Sequence, residues 1–71
     1  MQKYDYRELQ GLIRARFGNQ ESYAKAIGIS TTSLTERLAS KIPFKQDEIL
    51  MTKQILDLSP ERVDELFFTT R

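Results

Sequence analysis

Apolar residues recur along the chain at helical spacing in five separate runs, and nowhere do they alternate as in a strand. Leu9, Leu12, Ile13 and Phe17 form the first run. Asp5 and Glu8 have capping-box spacing, with Asp5 as N-cap, and Gly18 closes the run, so a helix is predicted from about Tyr6 to Phe17. Gly11 inside it costs about 1 kcal/mol relative to alanine, which a close approach by another helix backbone would offset. Asn19 is a good N-cap for a second helix, Gln20 to Ile27, with Tyr23, Ala24 and Ile27 on one face and Gly28 at its end. Gly28 is expected to take the left-handed conformation there.

Ser30 caps a third helix, about Thr31 to Ala39. Leu34 and Leu38 point inward, which turns Thr31, Thr32, Thr35, Glu36 and Ala39 outward. The segment "KIPF" breaks the pattern, since Pro43 disfavours helical backbone at Ile42. A fourth helix, roughly Gln46 to Leu56, carries Asp47 and Glu48 in its first turn, where the helix dipole favours anions. Ile49, Leu50, Ile55 and Leu56 are its expected core residues. Ser59 and Pro60 open a fifth helix with Val63, Leu66 and Phe67 at helical spacing, Phe67 in the core and Phe68 beside it on the surface. Of Tyr4 and Tyr6, at least one should pack over the first helix. The prediction is an all-α, compact five-helix fold, one domain over residues 1–71.

Composition narrows the function classes. A chain of 71 residues buries only about 60% of its unfolded surface and has little room for a deep pocket. It contains no cysteine and no histidine, hence no disulfide, no thiolate or imidazole metal ligand and no histidine base. Its acids stand at helix starts or on polar faces, which accounts for them, so no catalytic residue, cofactor or metal is expected and the chain is not read as an enzyme. No apolar run approaches the roughly 20 residues of a membrane span, and the polar start lacks a signal-peptide stretch, which points to the cytoplasm. Net charge is only +1, but it is uneven: eight Lys/Arg against four acids up to Gln46, then three against six from Asp47 onward. One surface suits a polyanion and another is kept from it.

Two helices joined through a glycine turn at Gly28, with small Ala24 and apolar Tyr23, Ile27, Ile29 and Leu34 setting their angle, form a helix-turn-helix pattern. With Gln20 opening the second helix, the chain resembles the lambda-repressor-like family of phage repressors and Cro-type proteins. The stretches "YDYRELQGLIRARFGNQ" and "FKQDEI" extend the likeness to short Cro-like regulators of phages of Gram-positive bacteria. The chain departs from the family in two places: Arg37 stands where many members are apolar, and the loop Ala39-Ser40-Lys41 where Asn-Gly-Lys is common.

The resemblance implies a transcriptional regulator of phage or prophage type, acting in a lysis–lysogeny type switch. Its third helix would enter the major groove of double-stranded operator DNA, with paired half-sites about 34 Å apart and a weak homodimer. Gln20 and Lys41 would meet phosphate. Thr31, Thr32, Ser33 and Thr35 would present hydroxyls and methyls to base edges, and Glu36 would accept from a cytosine amino group or pair with a neighbouring cation. Arg37 is expected to lay its stem on the core and send its head outward, with Ser40 in the loop beyond. No Arg, Asn or Gln sits on the outward face of this helix to make the common bidentate base contacts. The alternative is an antirepressor, which binds a second phage repressor protein through the same surface and blocks its hold on DNA.

Overall fold

Five helices form where the apolar spacing places them, and Asn19, Ser30 and Ser59 cap three of them. A computed structural model describes residues 4–70. It contains α1 (Arg7–Phe17), α2 (Gln20–Ile27), α3 (Thr31–Leu38), α4 (Gln46–Leu56) and α5 (Pro60–Phe67). The Asn19 side chain accepts the Ser22 N–H at 2.8 Å, and the Ser59 hydroxyl accepts the Arg62 N–H at 3.2 Å. Gly28 ends α2 at φ 81°, in the left-handed region expected of it.

The helices enclose a core of Tyr6, Leu9, Ile13, Tyr23, Ala24, Ile27, Leu34, Leu38, Leu66 and Phe67. α1 packs on α2 and α5, α2 on α3 and α4, and α4 on α5. Each large apolar side chain so buried contributes about 1.5–3 kcal/mol. Phe44, from the break before α4, stands edge-on to Tyr6 (5.3 Å between ring centres) and to Phe67 (5.1 Å), pinning that segment to both ends of the chain. Tyr6 is buried and Tyr4 half-buried. Asp5 donates its N–H to the Thr69 carbonyl at 2.7 Å, beside a single antiparallel bridge between Tyr4 and Thr70. No strand forms among the described residues. Phe68 is 49% exposed, with one edge against the Tyr4 ring.

Three local expectations are corrected. Asp5 does not cap α1: Tyr6 holds the N-cap position without a side-chain bond. Asp5 lies one residue earlier, held extended by Thr69, and its carboxylate takes the Arg7 N–H (3.0 Å) and the Arg7 guanidinium (2.8 Å). Glu8 reaches Arg62 of α5 at 3.1 Å instead of closing a capping box. Gly11 faces open space, with nothing within 4 Å of where a Cβ would stand, so no close backbone approach offsets its cost.

The third correction concerns α4. Of its expected core residues, Ile49 and Leu56 are half-buried, while Leu50 and Ile55 are 52% and 46% exposed. The residues it does bury are Glu48 and Thr52. Residues four apart share a helix face, so turning Glu48 inward carries Thr52 with it and swings Leu50, about 200° round the axis from Glu48, to the outside.

A candidate partner-binding face on the third helix

The α3 surface is built on its cap. The Ser30 hydroxyl accepts the Ser33 N–H at 3.1 Å and donates to the Ser33 hydroxyl at 3.0 Å, which ties Ser33 into the first turn and leaves it half-buried. Leu34 and Leu38 fill the core below. Thr31, Thr32 and Thr35 face outward, as their spacing requires. Thr35 donates its hydroxyl to the Thr31 carbonyl at 3.0 Å, a bond internal to the helix. The hydroxyls of Thr31 and Thr32 have no partner among the described residues. Gln20 is exposed at the first position of α2, where it borders a small hollow with Arg14. Glu36 is half-buried and Lys41 exposed.

Arg37 departs from the expected geometry. Its head turns inward, and the residue is 6% exposed. Nε meets Glu48 Oε1 at 2.7 Å, Nη2 meets Oε2 at 3.0 Å, and Nη1 donates to the Ser33 carbonyl at 3.1 Å. Glu48 Oε1 also accepts the Lys45 N–H at 3.0 Å, which caps the start of α4 from the N3 side. A planar guanidinium suits a two-point match to a carboxylate, and every polar atom of the pair is satisfied. This clasp closes the angle between α3 and α4.

A second polar contact continues it. Thr52 donates its hydroxyl to the Glu48 carbonyl at 2.9 Å. Its only hydroxyl hydrogen is thereby used, so the buried Tyr23 hydroxyl donates to Thr52 Oγ1, at 2.6 Å. Burial pushes the Tyr23 phenol up to about 12, and the nearby Glu48 charge adds to the rise.

Ser40 is likewise used internally. It takes φ 61°, a left-handed backbone that glycine would adopt at no cost. Its hydroxyl accepts the Tyr4 N–H at 2.9 Å and so ties the start of the described chain to the end of α3. Of the anticipated contact residues, the fold thus places Gln20, Thr31, Thr32, Thr35, Glu36 and Lys41 where a partner can reach them. Ser33, Arg37 and Ser40 are engaged beneath. Sequence reasoning missed Glu48 and Thr52, although the consecutive run Ile49-Leu50-Met51 was a signal. Three adjacent residues cannot share one helix face, so part of that run had to point elsewhere.

The exposed α3 surface is therefore a row of hydroxyls with one carboxylate, Glu36, and its only cation is withdrawn to Glu48. Cations without an acid partner among the described residues stand on other elements, at Arg14, Arg16, Lys25, Lys41, Lys45 and Lys53. No cluster of potential metal ligands occurs among the described residues, and no helix there is long and apolar enough to cross a membrane.

Comparison with known proteins gives a family and a structural relative. The family described as "Protein of unknown function (DUF739)" matches residues 2–70. The solution structure of the modulator of repression (MOR) of the temperate bacteriophage TP901-1 from Lactococcus lactis is similar, with a TM-score of 0.75 and 36% sequence identity. The likeness covers 93% of this chain and 89% of that one. No curated protein matches in sequence. The five-helix architecture is that of a small phage regulatory protein.

Proposed function

The chain belongs to that family, and we propose that it modulates repression by binding a phage repressor through the outward face of α3. Bound there, it keeps the repressor from operator DNA. The observation that carries the reading is the withdrawal of Arg37 into its pair with Glu48. It leaves α3 with hydroxyls and a carboxylate on the surface, and DNA attracts cations while repelling carboxylates. A repressor's own DNA-binding face must be basic, so it is complementary to a surface of hydroxyl acceptors and Glu36. The phage relative, named a modulator of repression, supports the same direction. The contact residues are Gln20, Thr31, Thr32, Thr35 and Glu36, while Ser33, Arg37 and Ser40 hold them in place. Residues 1–71 act as one helix-turn-helix domain in the bacterial cytoplasm, with no catalytic step.

A second reading is direct operator binding in the manner of the lambda-repressor-like family. Exposed Gln20 at the start of α2 and the unpaired Lys41 and Lys45 after α3 favour it.

A gel-shift assay with DNA flanking the gene, with and without the neighbouring repressor, separates the two. The protein alone should shift no DNA, and its addition should abolish the repressor–DNA complex. The triple variant Thr31→Ala, Thr32→Ala, Thr35→Ala should keep its helix content, since alanine is the better helix former, and require at least about tenfold more protein to release the repressor. If the protein alone binds DNA, and Lys41→Ala flattens the salt dependence by about one unit, operator binding replaces the proposal. If the folded triple variant releases the repressor as well as wild type does, α3 is not the contact surface.

A further inference from the structure

The outward side of α4 is unexplained by the α3 reading. Asp47, Leu50, Met51 and Gln54 follow one another at i, i+3, i+4 and i+7, so they share one stripe of the helix. All four are exposed, Leu50 at 52% and Met51 at 41%. An apolar pair flanked by polar ends is the layout of a helix–helix seam. Yet the core of this protein lies on the other side of α4, against Glu48 and Thr52. A shallow groove lined by Gln46, Asp47, Ile49, Leu50 and Lys53 runs along the edge of the stripe.

We propose that this stripe is a self-association surface, whose occupant is the α4 helix of a second copy of this chain, packed antiparallel across a two-fold axis. The stripe is complementary to itself. In a two-fold interface, residue i meets j and j meets i. With the axis between Leu50 and Met51, Leu50 and Met51 of the two copies form a closed layer of four apolar side chains. Asp47 of each copy then stands level with Gln54 of the other, whose amide can donate to the carboxylate. Lys53 lies one residue from Gln54 and reaches the same carboxylate. The groove beside Leu50 receives the leucine of the second copy. Antiparallel helices also set the acid-bearing start of one α4 beside the end of the other, where opposite dipole ends attract. A parallel pair would instead place Asp47 beside Asp47 and Lys53 beside Lys53. A seam of one helix face is small, so the dimer is weak and forms at high protein concentration.

The test is sedimentation of the full chain over a concentration series to about 1 mM, in the weak-binding range. The wild-type mass should rise toward a dimer, and Leu50→Asp should stay monomeric with an unchanged circular dichroism spectrum. Asp47→Lys and Lys53→Glu should each weaken association by about tenfold, because both reciprocal contacts turn repulsive. Mixed in equal amounts, these two variants should associate again. One contact then joins the two substituted side chains, of opposite charge, and the other joins the native Asp47 to the native Lys53. Such rescue depends on charge pairing across the seam, which no folding defect imitates. A wild type that remains monomeric throughout overturns the proposal, as does a dimer unaffected by Leu50→Asp. The Thr31, Thr32, Thr35 triple alanine variant should dimerise normally; its failure to do so would move the seam to α3 and overturn the proposal while leaving the repressor reading standing.

Discussion

α3 and α4 are neighbours in sequence and joined by one ion pair, yet they sort their side chains in opposite ways. α3 turns Leu34 and Leu38 inward and its threonines outward. α4 turns Glu48 and Thr52 inward and leaves Leu50, Met51 and Ile55 in solvent. The contrast originates in Arg37. An arginine within the last turn of α3, next to Leu38, has its stem in the core, and its buried head needs a carboxylate. Glu48 supplies one only if α4 rotates to face it, and that rotation fixes every other position on the helix. Apolar spacing places a helix, while one buried charge can decide which side of it faces in.

Disrupting the clasp should erase the contrast at the greatest cost. Glu48→Ala or Arg37→Ala strands a buried charge, and each should cost about 3–5 kcal/mol in urea unfolding. Replacing both together with apolar residues of similar size, Arg37→Met with Glu48→Leu, should restore stability or exceed it, because no charge is then desolvated. Single variants that cost less than about 1 kcal/mol would show that something other than the clasp sets the rotation of α4.

Leucine occurs on both helices, in opposite surroundings. Leu34→Ala empties a fully buried site and should cost about 2–5 kcal/mol. Leu50→Ala, measured at dilute concentration, should change stability by no more than about 0.5 kcal/mol. Equal losses at the two sites would place Leu50 in the core and contradict the inversion.

A smaller effect tests the polar chain from Tyr23 through Thr52 to Glu48. Burial holds the Tyr23 phenol protonated, raising it to about 12 from its ordinary value of 10.0. The raised value means the folded state binds the proton more tightly than the unfolded chain does. The contribution is therefore complete below pH 10 and is lost as pH rises through 12, a change of about 2–3 kcal/mol. Unfolding free energies measured across that window should fall for wild type, and Tyr23→Phe should flatten the decline. Tyr6, raised for the same first reason of burial, contributes a residual slope. An unchanged slope in Tyr23→Phe would remove Tyr23 from the account.

Five helices and most of their ends follow from residues adjacent in the chain. Asn19, Ser30, Ser59 and Pro60 act locally, as do Gly18 and Gly28, and local chemistry is read directly from neighbouring residues. The inner faces of α2 and α3 are legible in the same way, because Tyr23, Ala24, Ile27, Leu34 and Leu38 leave one apolar side each, and the outward threonines follow. Everything that needed the folded chain involves residues far apart along it. Asp5 was drawn from a cap into an extended segment by Thr69, and Glu8 was drawn to Arg62. Ser40 was given a left-handed backbone and a hydrogen bond to Tyr4. Arg37 was turned inward and α4 rotated by their shared contact with Glu48, 11 residues along the chain from Arg37. Hydrophobic spacing could not foresee that rotation. α4 carries apolar residues on more than one side, so its periodicity permits several orientations, and the free energy of satisfying one buried guanidinium selected among them.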